Sequence, residues 1–146
     1  MLFEDQIKNW RLKFEKKTKL AIGNFLVDFT NHLVGRTPVG DPSLWNDPPE
    51  PGYKPGTLIN SWYTTLAAPY VGGVRRQSTS GADSVRQARQ VANVAMGKLI
   101  YITNPTPYAN MIEYEGHSSQ APAGMTRITA VQFFNTRKLR KAFRDA

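Results

Sequence analysis

The chain has 146 residues, enough for one domain with its own core, and it contains no cysteine, which excludes disulfides, thiolate nucleophiles and cysteine metal sites. Its 40% apolar and 11% aromatic residues are globular values, and no apolar run approaches the roughly 20 residues of a membrane helix. A net charge of +8 and a pI near 9.9 point to an acidic partner, nucleic acid first, against the plainer reading of a basic surface that serves solubility. The bases cluster at the two ends, between Lys8 and Lys19 and between Arg137 and Arg144, and the middle is nearly balanced. The opening Met1-Leu2-Phe3-Glu4-Asp5 carries acids where a signal peptide carries bases, so the expectation is a protein made and kept in a cytoplasm.

Residues 4–35 read as one long helix. Ile7, Trp10, Phe14, Ala21, Phe25, Phe29 and Leu33 recur at spacings of three, four or seven and so share a face. Glu4 and Asp5 suit the positive end of the helix dipole. Gly35 and Pro38 supply the stop. The denser second half, with Leu20, Ile22, Phe25, Leu26, Val27 and Phe29, is expected to be core. The sparser, more basic first half is expected to project or to meet a neighbouring subunit. Residues 36–56 form a proline-rich loop, broken by Pro38, Pro42, Pro48, Pro49, Pro51 and Pro55. Its Trp45 and Tyr53 either fold back on the core or contact a partner.

The α+β body spans 57–135. Leu58, Ile59 and Trp62 to Leu66 are strand formers, with a return strand starting around Tyr70-Val71 and Val74. A helix over 84–97, capped by Asp83 or Ser84 and ended by Gly97, presents a narrow stripe of Val85, Ala88, Val91, Ala92 and Ala95 suited to close packing. Leu99 to Thr103 is the clearest strand and is expected to be central. Tyr108 to Tyr114 makes a short helical turn, 115–124 a loop, and 125–143 either a strand followed by a helix or, the favoured reading, one helix, with a basic end over 136–146. On that end Arg137, Arg140, Lys141 and Arg144 share one face, which suits either a phosphate backbone or the negative end of a helix dipole. The fold class is therefore α+β, a single domain with a long N-terminal helix and further helices on a small sheet.

Enzyme templates fail in turn. There is no phosphate loop, no dinucleotide fingerprint and no nucleophile elbow. His32 and His117 are the only histidines; His32 has no helical His or Glu partner four residues away. Glu113, Glu115 and His117 make a carboxylate–imidazole group on paper, against the plainer reading of a polar loop. The expectation is a non-enzyme without metal or cofactor.

Two runs carry a resemblance. The first is Thr37-Pro38-Val39, resumed after the proline-rich segment by Gly56-Thr57-Leu58-Ile59-Asn60-Ser61-Trp62. The second is Tyr101 to Asn104, then Pro107-Tyr108-Ala109-Asn110-Met111-Ile112-Glu113-Tyr114, then Gly116 to Met125 with its Gln120-Ala121-Pro122-Ala123-Gly124-Met125. Together they resemble the tail-completion, or neck, proteins of long-tailed phages over about residues 5–135, departing in the insertion at 40–55 and in Glu115 before Gly116. The resemblance implies helices against a small, mainly antiparallel sheet. It implies a virion subunit that forms a ring, six copies expected, between the head connector or adaptor proteins and the tail terminator or tail tube. No catalytic residue and no membrane come with it, and genomic DNA crossing the channel is a further partner. Trp45, Tyr53, Trp62, Tyr108, Glu113 and Tyr114 are the candidate interface residues, and Arg137, Arg140, Lys141 and Arg144 the candidate DNA-facing bases. A sequence-independent DNA-binding protein is the alternative.

Overall fold

The computed structural model describes residues 2–44, 48–49, 51–134 and 136–146. Helix α1 runs Phe3–Arg36, 34 residues and about 50 Å, with Glu4 and Asp5 in its first turn. It stops where Thr37 turns extended ahead of Pro38, as the residue before a proline must. The Thr37 amide donates to Val34 O and its hydroxyl to Leu33 O, so the last carbonyls stay satisfied. The remaining helices are α2 (Thr57–Asn60), α3 (Ala82–Ala92), α4 (Ala109–Tyr114), α5 (Thr126–Phe133) and α6 (Thr136–Asp145). Strands β1 (Tyr63–Leu66) and β2 (Ile100–Thr103) pair antiparallel, with Tyr63 opposite Thr103 and Leu66 opposite Ile100. The architecture is α+β.

The core lies on the second half of α1. Phe29, Leu33 and Val34 pack with Leu58, Ile59, Trp62, Ala121, Met125 and Phe133. Phe133 stands edge-on to Phe25 and Phe29, at ring separations of 5.7 and 5.5 Å. That arrangement suits the aromatic quadrupoles. A neighbouring cluster gathers Leu26, Ala92 and Ala95. Here α1 and α3 cross closely: a Cβ built on Gly23 would sit 3.4 Å from the Ala92 Cβ. The small residues of α3 are what allow this approach, with Ala88, and Ala95 just beyond the helix, almost fully enclosed.

Several expectations are corrected. Leu58 and Ile59 lie in α2, because Gly56 at φ +92° starts a helical turn and both side chains enter the core there. No return strand forms at Tyr70–Val74. Instead the Tyr70 ring stacks on Tyr63 at 3.6 Å, and both hydroxyls donate to Gly73 O. Strand β2 is half of a two-stranded sheet, not a central strand. Helix α3 starts two residues earlier than expected, with Gly81 at its N-cap, and ends at Ala92. The C-terminal segment is two helices, not one.

Candidate assembly surfaces

Each of the two sequence runs folds into a local lock. In the first, Asn60 is fully enclosed. Its amide donates to Arg76 O (2.8 Å) and to an Asp83 carboxylate oxygen (2.7 Å), and its carbonyl accepts from the Asp83 amide (3.0 Å). Ser84 Oγ donates to Ile59 O and accepts from the Trp62 amide. Trp62 is 4% exposed and donates its indole N–H to Thr37 Oγ1 at 2.9 Å. That bond ties the first run's two halves, Thr37 and Trp62, across the proline-rich segment. The segment itself is closed at its base, where the Gly56 amide donates to Val39 O at 2.8 Å and Tyr53 donates its hydroxyl to Gly40 O.

Arg75, which sequence reasoning passed over, completes this lock. Its guanidinium donates to Asn60 O (3.0 Å), Trp62 O (2.8 Å) and Gln87 Oε1 (2.5 Å), and lies 4.0 Å over the Tyr63 ring. Burial lowers its pKa from the ordinary value. The only sequence signal was a base in an otherwise balanced middle.

The second lock centres on Glu113, a buried carboxylate at the start of α5. It accepts from the amides of Met125 (2.7 Å), Thr126 (2.9 Å) and Arg127 (3.0 Å), and from Arg127 Nε (3.2 Å). Arg127 Nη2 also donates to Glu113 O. Three amides left unpaired at a helix start thus meet one negative charge, as the helix dipole favours. Burial opposes the charged carboxylate, but these hydrogen bonds outweigh it and hold the pKa below its ordinary value. Gly124, at φ +87°, makes room: a Cβ there would stand 2.6 Å from Glu113 O and 2.9 Å from its carboxylate.

Of the interface candidates, Trp62 and Glu113 are buried and hydrogen-bonded within the chain. Tyr53 and Tyr108 are half-buried, with rings 6.3 Å apart, and Tyr108 packs on the core. Burial raises the pKa of both hydroxyls. Tyr114 is exposed, with the Arg127 guanidinium 4.8 Å above its ring. Trp45 lies outside the described residues. His117 pairs with Glu115 at 3.0 Å on the surface, while Glu113 is given over to α5. His32 donates its Nδ1–H to Asp28 O at 2.9 Å and stands edge-on to Phe133.

Two surfaces remain open. Arg137, Arg140, Lys141 and Arg144 are all exposed on α6, with Asp145 paired to Lys141 at 2.6 Å and to Arg144 at 3.5 Å. The first half of α1 is an arm whose large apolar side chains face water: Phe3 is 73% exposed and Trp10 65%, and Ile7 and Phe14 are about half exposed. The first buried residue of the helix is Ala21. Beside the arm's root, an apolar groove of about 270 Å³ runs between α1, β2 and α6, lined by Ala21, Phe25, Ile100, Ile102, Leu139 and Phe143 among others. Among the described residues no helix is long and apolar enough to cross a membrane, and no cluster of three metal-ligating side chains occurs. No family model, curated protein or solved structure matches the chain.

Proposed function

We propose that this chain is a structural subunit of a phage neck, forming a ring that joins the head connector to the tail. One observation carries the reading: Trp62 and Glu113, at the centres of the two neck-like runs, are hydrogen-bonded inside the fold, while an apolar helical arm and a basic helix face stand open. Such surfaces are suited to holding molecules together. The reading accounts for Gly56, Trp62, Glu113 and Gly124 as positions that fix geometry, and for the exposed remainder as contact area.

Mass photometry of the purified protein, alone and with connector and tail-terminator proteins, tests this. The expected outcome is a closed oligomer that joins both. A strict monomer that binds neither removes the proposal. The basic face of α6 favours a second reading, DNA contact without sequence readout, whether in a channel or alone. Duplex binding should then fall steeply with salt, and replacing Arg140 and Arg144 by Ala should lower the log–log salt slope by roughly one for each phosphate no longer neutralised. No binding at low salt eliminates it.

A further inference from the structure

The arm and the groove are matched in chemistry, yet one copy cannot bring its own together. Phe3, Ile7, Trp10 and Phe14 follow at spacings of four, three and four, so they line one side of α1, and the Trp10 and Phe14 rings stack at 5.4 Å. The same periodicity continues through Ala21 and Phe25, which line the groove. Because α1 is one unbroken helix, Phe3 stands about 27 Å along the axis from Ala21. The tip therefore points away from its own groove.

Charge selects the occupant. Glu4 and Asp5 make the tip acidic, and the arm's bases begin only at Lys8. The groove's outer wall, α6, turns Leu139, Ala142 and Phe143 inward, and Arg140 and Arg144 stand about 100–150° round the helix, on its outward side. A tip that lays Phe3 and Ile7 into the groove leaves Glu4 on its flank and Asp5 on its outer side, the same outward side on which Arg140 and Arg144 stand. The arm's exposed apolar side chains amount to several hundred Å², on the order of the ~800 Å² each partner commits to a stable interface.

We propose that the arm tip of one copy docks in the α6 groove of the next. The contact is head-to-tail, so it closes into a ring when the rotation allows. The proposal rests on the ring reading only for that closure. The groove is not complementary to itself, so two grooves laid face to face do not satisfy the contact, whereas a two-fold pair that exchanges arms makes it twice and closes at two copies.

Sedimentation of the full-length protein across a concentration series, in about 0.1 M salt, tests the contact without any other phage protein. The E4K/D5K variant and the R140E/R144E variant should each weaken self-association at least about tenfold, and all four changes in one chain should restore most of it. All four residues are exposed, and circular dichroism verifies that each variant folds. The F3A/I7A variant should also dissociate. Unchanged association in F3A/I7A, or no rescue in the four-fold variant, overturns the proposal. Rescue of E4K by R11E instead means that arms pair antiparallel with each other, and overturns it too. A wild-type chain that stays monomeric at all concentrations overturns it as well. Connector binding that persists in these variants leaves the neck reading standing while the docking contact falls.

Discussion

At Glu113 a carboxylate does the work that a serine or aspartate does at an ordinary helix start, but from another helix and for three amides at once. Replacing it with Gln keeps the shape and removes the charge, which should cost about 1.5–3 kcal/mol. The sign with pH follows from the lowered pKa. The charged form is preferred in the folded state, so the contribution is full above the ordinary value of 4.5 and disappears as pH falls through the lower folded value. Urea titrations should therefore show a wild-type advantage over E113Q at pH 7 that closes in acid below about pH 4. Ala67 offers the opposite case. It is exposed and held at φ +67°, the only non-glycine residue with positive φ among those described, just after β1. Ala67→Gly removes the left-handed penalty and should raise stability by about 1 kcal/mol, visible as a thermal midpoint several degrees higher.

The crossing of α1 and α3 is set by what is missing from the side chains. Gly23 meets Ala92 at ordinary van der Waals distance for an added methyl, and it lies in mid-helix. Gly23→Ala should thus be neutral to stabilising, by up to about 1 kcal/mol, since helix propensity gains and nothing must move. Ala92→Phe instead drives the helices apart and should cost about 1–3 kcal/mol in chemical denaturation. Helices of this kind are legible in the sequence: apolar residues from Ile7 to Leu33 recur at helical spacing, and the acids at 4 and 5 with Gly35 and Pro38 bound α1 to within a residue at each end. The alanine stripe likewise announces a close approach. The stretch around Leu58 and Ile59 is not legible, because its strand-forming side chains are overruled by the left-handed Gly56 and the hydrogen bonds of Asn60. The burial of Trp62 and Glu113 is not legible for a related reason. A sequence displays an aromatic or a charge, but not which neighbours cover it. The bases of α6 are readable because successive helix turns place them together, whereas Arg75 answers to carbonyl oxygens that leave no trace in residue types.

Across the whole molecule, stability and contact are divided between different parts of the chain. Everything enclosed in α1 lies from Ala21 onward, and the arm before it carries apolar area with no partner in the same copy. Removing residues 2–18 should leave the unfolding midpoint in urea nearly unchanged while abolishing self-association, a separation that a purely structural helix does not permit. The proline-rich excursion is likewise set apart. Its two ends meet at Val39 and Gly56, and the bond between Trp62 and Thr37 braces the chain just outside that junction. What enters the segment and what leaves it are fixed whatever is threaded between. An epitope or a small fluorescent reporter spliced there would hang from a base already closed, giving a label by which each copy could be located in whatever assembly it joins.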